Sequence, residues 1–145
     1  MNIFLICPVR GISKKEEEAI SRYVANLKGE GHKVHWPLYD TNQIDPIGLR
    51  ICGDNRLAIY EADEVHIYWT RKSKGSLFDF GMAFAFMFLT AKKIILVNPE
   101  MVEKMIEEES KKSVKKSFNK VLMALHKKSK KRIELFQPII RTAAY

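Results

Sequence analysis

Val65-His66-Ile67-Tyr68-Trp69, and four residues later Ser73-Lys74-Gly75-Ser76-Leu77-Phe78-Asp79-Phe80-Gly81-Met82-Ala83, decide the fold of this chain. The first stretch alternates and is rich in β-branched and aromatic residues, so it reads as a strand over residues 64–69. Gly75 and the serines around it supply a turn. The apolar run that follows, 80–91, is too long for a strand and predicts a helix over 76–91, apolar nearly all round and so covered on most sides. In an open α/β sheet, ligands lie outside the carboxyl ends of strands and beside helix N-termini. Asp79 is therefore expected in the first turn of a helix that faces a ligand crevice.

The rest of the chain repeats that unit. Residues 2–7 read as a buried strand, with Phe4, Leu5 and Ile6 continuous. Pro8 to Gly11 make a loop, and Ser13 with Glu16 three residues on predicts a capping box opening a helix that ends at Gly29. A short strand over 32–36 stops at Pro37, and a helix over 47–61 puts Ile47, Ile51 and Ala58 on one face with Asp54 and Asn55 beside it. Ile94-Ile95-Leu96-Val97 lies within a strand over 93–98, unbroken as in a parallel strand covered on both faces. A long helix over about 101–128, broken near Lys111, carries the stripe Val114, Phe118, Val121, Leu122 and Leu125, and 133–136 reads as a last short strand. The order βαβαβαβα with right-handed crossovers predicts a three-layer, doubly wound, flavodoxin- or Rossmann-like α/β fold. Its mostly parallel sheet has four to five strands, with helices on both faces. With no linker or internal repeat, residues 1–145 form one domain, with the basic helix near 101–132 as its last large element.

Composition narrows the classes. A chain of 145 residues with 46% hydrophobic residues can bury a core. Two cysteines, Cys7 and Cys52, make no disulfide scaffold, so a reducing, cytoplasmic setting is expected. The apolar segments are too short for a membrane span, and the stretch at residues 3–7 is too short for a signal peptide. The net charge of +8 is local, because ten of the 25 basic residues lie in 111–132, which has no acid, and the remainder is close to neutral. That segment reads as the solvated face of a helix, with nucleic-acid binding as the alternative. There is neither a Gly-x-Gly-x-x-Gly after the first strand nor a Walker A motif, so dinucleotide and nucleoside-triphosphate enzymes are not expected. His35 and His66 stand at no metal-ligand spacing, and no metal or other cofactor is expected.

Two strand ends offer contacts for an anion: Arg10-Gly11, and Ser73 to Ser76 with Gly75 between. Turn chemistry accounts for the same residues. Asp79 also has two readings: Ser76-x-x-Asp79 forms a capping box, or the carboxylate is a nucleophile kept ionised by the helix N-terminus. Trp36, Tyr68 and Trp69 stand at strand ends, where they stack on a base or simply pack.

Three motifs together carry a family resemblance. They are Ile3-Phe4-Leu5-Ile6-Cys7-Pro8-Val9-Arg10-Gly11, then Asn55-x-x-x-Ile59-x-x-Ala62-Asp63, and then Ser73-x-Gly75-Ser76-x-x-Asp79-Phe80-Gly81-x-Ala83. Over residues 1–98 the chain resembles the nucleoside 2-deoxyribosyltransferase family and the related 2′-deoxynucleoside 5′-monophosphate N-glycosidases. The resemblance implies cleavage of an N-glycosidic bond, or deoxyribosyl transfer, with Asp79 as the carboxylate nucleophile and Asp54 or Asn55 placing the sugar or leaving base. It implies a nucleoside or nucleotide bound by Pro8, Arg10, Gly11, Ser73, Gly75 and Ser76, the phosphate falling to Arg10, Ser73 and Ser76, and a homodimer or larger homo-oligomer. Two positions depart from the family pattern. Asp79 stands where Glu is usual, which retracts the carboxylate by roughly an ångström, a change worth on the order of 10²-fold in rate. Asn55 stands where an acid is usual and transfers no proton; Asp54 would replace it if the helix were turned. A non-catalytic nucleotide sensor on the same fold is the alternative.

Overall fold

The computed structural model describes residues 1–112 and 115–131. Its sheet has four strands, β1 (Asn2–Ile6), β2 (Lys33–His35), β3 (Glu64–Ile67) and β4 (Lys93–Leu96), all parallel, in the order β2-β1-β3-β4. The chain leaves β1 in one direction to make β2, then passes back over it to make β3. The connections therefore diverge between β1 and β3, and the carboxyl ends of those two strands flank the crevice that such a reversal opens.

Side chains alternate through the sheet and build two cores. Phe4, Ile6, Val65, Ile67, Ile94 and Leu96 face one way, and Ile3, Leu5 and Val34 the other. The second face is covered by α1 (Lys14–Gly29) through Ile20 and Val24. Ser13 caps α1 with the expected reciprocal bonds to Glu16. The first face is covered by α3 (Leu49–Glu61) and α4 (Lys74–Met87), which pack on each other. This is the three-layer, doubly wound arrangement that the βα alternation predicts.

Several elements differ from the sequence reading. Pro37 does stop β2, but it also opens a short helix, α2 (Pro37–Asp40), as a proline at a first helical position does. That turn is locked by Asp40, whose carboxylate accepts from the Trp36 N–H at 2.7 Å. The helix expected over 47–61 begins at Leu49, and Ile47 is 81% exposed, so its core residues are Asn55 and Ile59. A left-handed Gly48 (φ 80°) ends the loop before it. The helix expected over 101–128 is two helices, α5 (Pro99–Glu109) and α6 (Phe118–Lys130), with Val114 of the expected stripe outside the described residues. Leu122 and Leu125 of that stripe are buried, whereas Phe118 is exposed. The strand expected over 133–136 also falls outside the described residues.

α6 covers the edge of the sheet. The outward N–H groups of Ile94 and Leu96 on β4 are accepted by Ser129 Oγ (3.1 Å) and His126 Nδ1 (2.9 Å). An edge strand that would otherwise present free donors is thus satisfied by side chains of a helix. The His126 imidazole is held below its ordinary pKa, first by burial and then by Lys130, which keeps Nδ1 able to accept.

Candidate active site

A cleft of about 1170 Å³ opens at the carboxyl ends of β1 and β3. Its walls are the loop after β1, the loop 43–48 with the first half of α3, the loop after β3, and the start of α4. Pro8, Arg10, Gly11, Asn55, Ser73, Gly75, Ser76 and Asp79, all singled out from the sequence, line it. Gly11 has φ 74°, a left-handed conformation that lets the β1 loop turn along the cleft. Asp54 is placed elsewhere. It is exposed on α3, in an ion pair with Arg50 at 2.8 Å, and is not among the lining residues.

Asp79 is not in the first turn of α4. Ser73, not Ser76, caps that helix, its Oγ accepting from the Ser76 N–H (3.1 Å) and donating to the Ser76 hydroxyl (2.7 Å). Helical numbering then puts Asp79 a turn further in, beyond the free N–H groups that a first-turn acid would meet. Its hydrogen-bond partner among the described residues is Asn55, whose Nδ2 donates to Oδ2 at 3.3 Å. Burial pushes the Asp79 carboxyl up from 3.8 to about 6, with the Asn55 bond opposing the rise. The helix-dipole stabilisation expected of a first-turn acid is thus missing, and desolvation sets the shift.

The other groups in the cleft divide into those already engaged and those free. Asp45 accepts from the N–H groups of Ile47, Arg50 and Ile51, which lowers its pKa and fixes it as the cap of the turn into α3. Glu16 is held in the α1 capping box. Arg71 pairs with Glu108 at 2.5 Å. Arg10, Lys72 and Lys74 line the cleft with no ion pair among the described residues. Among the described residues Asp79 is therefore the one lining acid not committed to capping, in a cleft whose other unpaired charges are cations. Cys7, at the end of β1, is pushed up to about 12, chiefly by burial and further by Asp79, so it is a neutral thiol. Trp36, Tyr68 and Trp69 are buried and line no part of this cleft; Trp69 Nε1 is tied to Asn119 Oδ1 at 2.8 Å.

Sequence reasoning missed Thr41 and His35. Thr41, just after α2, donates to Asn55 Oδ1 at 2.9 Å and meets His35 Nε2 at 2.8 Å. A threonine one residue beyond an Asp in a loop carries no local signal of this. The usable sign was Asn55 itself, a carboxamide in the middle of a helix near an apolar face, which when buried requires partners. Among the described residues no cluster of three or more metal-ligating side chains occurs, and no helix is long and apolar enough to cross a membrane.

Comparison with family models and with curated proteins gives no match. Among solved structures, the chain is similar to the CMP N-glycosidase BcmB of Clostridium botulinum, at 24% sequence identity over 66% of this chain and 67% of that one, with a TM-score of 0.49.

Proposed function

We propose that this protein cleaves, or exchanges the base of, the N-glycosidic bond of a nucleoside or nucleotide, with Asp79 as the nucleophile. The observation that carries the reading is one carboxylate, freed from capping, at the wall of a nucleotide-sized cleft that Arg10, Lys72 and Lys74 also line with no ion pair among the described residues. Only Oδ2 of Asp79 is engaged by a protein donor among the described residues. Oδ1 is left to attack the anomeric carbon. As the C–O bond to Asp79 forms, the C–N bond breaks and its electron pair leaves with the base, which takes a proton from water in the open cleft. Water, or a second base, then displaces Asp79 and restores the carboxylate. Asn55 gives no proton; its Nδ2 holds the nucleophile in place. The unpaired cations suit a phosphate on the sugar.

Incubation with nucleoside monophosphates, followed by chromatography for free base, tests the reading. Release by the wild-type protein that Asp79→Asn abolishes is expected; no release from any nucleoside or nucleotide overturns it. A second reading, nucleotide binding without turnover, draws on Asn55 standing where an acid would assist the leaving base. It predicts a rise in melting temperature with nucleotide and no base released.

The same reading includes a homo-oligomer. Among the described residues α4 is covered on one side only, where its apolar composition calls for cover on most sides. Phe78, Phe84, Phe88 and Leu89 are each more than half exposed, as are Leu57 and Tyr60 on neighbouring α3. Large side chains exposed to that degree present on the order of 100 Å² each, so with their neighbours they approach the roughly 800 Å² per partner of a standard interface. From Gly75 to Ala91 the only charged residue is Asp79, which lines the cleft, so a second copy with the same uncharged face is the matching partner. Sedimentation of the wild type as a dimer, and of Phe84→Lys as a monomer, is expected; a monomeric wild type overturns this element.

A further inference from the structure

We propose that Thr41 and His35 are positioning residues, the outer links of a one-way chain of donors, His35 to Thr41 to Asn55, that holds the Asn55 amide with its NH₂ on Asp79. The inference rests on Asp79 being the reacting carboxylate of the proposed function.

The direction of the chain follows from what each group is able to do. An ionised carboxylate only accepts, so Asn55 must turn Nδ2 toward Asp79 (3.3 Å). Its Oδ1 then faces Thr41 and also only accepts, so the Thr41 hydroxyl must donate (2.9 Å). A hydroxyl has one proton. Spent on Asn55, it leaves Thr41 Oγ1 an acceptor, and His35 must present Nε2–H (2.8 Å). Each link determines the next, and Thr41 and Asn55 are 4% and 7% exposed, so water does not compete for the bonds.

The backbone is shaped to bring these residues together. His35 closes β2, and its ring lies flat on Phe4 of β1, centroids 5.2 Å apart at 17°. Pro37 then starts α2, and the Asp40 bond to the Trp36 N–H tightens that turn, returning the chain so that Thr41 meets His35 six residues earlier. Asn55 arrives from α3 and Asp79 from α4. Four elements therefore converge on one amide. The titratable groups facing the chain are Asp40 of α2 and Asp54 of α3 beside His35, and Cys7 of the β1 end beside Asp79. Burial holds His35 below its ordinary pKa, so the neutral ring with its proton on Nε2 is the form the chain uses.

Without the outer links the amide is free to rotate, and a rotated amide points Oδ1 at a carboxylate. Asp79 would then lose the one bond that opposes its upward shift. A carboxyl ¹³C NMR titration of the full-length protein, with Asp79→Asn assigning the signal, reads this without any need for turnover. The wild-type midpoint is expected near 6. Thr41→Val should raise it by roughly one unit, and Thr41→Ser, which keeps the hydroxyl, should restore it. His35→Phe, which keeps the stacking on Phe4, should move it the same way by less, and His35→Gln, which keeps a donor, should not move it. An unchanged midpoint in Thr41→Val, or a shift that Thr41→Ser fails to reverse, overturns the proposal. If Thr41→Val does not fold, the two His35 variants decide it alone, and equal midpoints in the two overturn it. In the base-release assay Thr41→Val should lower kcat with KM unchanged. The expected titration shifts in a protein that releases no base would uphold the chain and remove the proposed function.

Discussion

Two histidines of this protein anchor chains of the same logic on opposite faces of the sheet. On the face that Phe4 shares, His35, Thr41 and Asn55 lead to Asp79. On the face that α1 covers, the Tyr23 hydroxyl meets His66 Nδ1 at 2.6 Å, and His66 Nε2 meets Glu64 at 2.8 Å. In each chain a terminal carboxylate sets the direction of every bond, and in each the histidine is held below its ordinary pKa, first by burial. The difference lies in what surrounds the carboxylate. Glu64 closes its chain against His66 and, at 3.9 Å, Lys93, and neither Tyr23, His66 nor Glu64 lines the cleft. Asp79 ends its chain at the cleft wall with an oxygen to spare. The Glu64 chain fastens α1 to the sheet; the Asp79 chain leaves a carboxylate oxygen unbonded at the cleft wall among the described residues. Buried polarity alone therefore says little about function, and the open end of the chain says most.

The largest test of that contrast is kinetic. Asp79→Asn should reduce base release by about 10³-fold or more, the scale of losing a nucleophile. Glu64→Gln should leave the rate alone, and a comparable loss there would erase the distinction between the two chains.

The next effect is on stability and has a fixed sign. Asp79 has a folded pKa of about 6 against an ordinary 3.8, so the folded state holds its proton more tightly than the unfolded one. Its contribution to stability is complete below about pH 4 and is lost as the pH rises through 6. Asp79→Asn removes that penalty. It should stabilise the protein at pH 7 by up to about 3 kcal/mol, and by nothing near pH 4, as urea unfolding at the two pH values would show. The activity profile runs the opposite way. Because the nucleophile must be ionised, kcat/KM should rise with pH through about 6.

Smaller effects separate binding from fastening. Arg10→Ala should raise KM about tenfold for a nucleoside monophosphate and leave the unphosphorylated nucleoside unaffected, on the scale of one charge-assisted hydrogen bond. An equal rise for both substrates would take Arg10 away from the phosphate. Tyr23→Phe removes one donor from the structural chain and should cost about 1 kcal/mol in thermal or denaturant unfolding. Base release should not change, and a fall in kcat would mean that the two faces of the sheet are coupled.

Much of the architecture was legible locally. The apolar runs at β1 and β4, the alternation at β3 and the Ser13–Glu16 box all express short-range rules, namely which faces are buried and which donors need capping. The strand–turn–helix stretch at 65–83 also placed the cleft correctly, because the carboxyl end of a parallel strand opens toward ligands whatever the side chains. Local rules failed where two serines competed for one cap. Ser73 and Ser76 fit the role equally well by type, and the helix started three residues early, which moved Asp79 out of reach of its own N-terminus. For α4 the local rules say that burial is wanted without saying which neighbour supplies it.

The sequence by itself settled the order of strands and helices, the two-sided core and the end of the sheet that carries the cleft, since periodicity and turn chemistry act over a few residues. Tertiary structure alone decided which polar groups meet. Asn55 and Asp79 are 24 residues apart, and Ile94 and Ser129 are 35 apart. No spacing rule links such pairs. They are brought together because burying the apolar faces leaves each polar atom to find its bond among whatever the packing sets beside it.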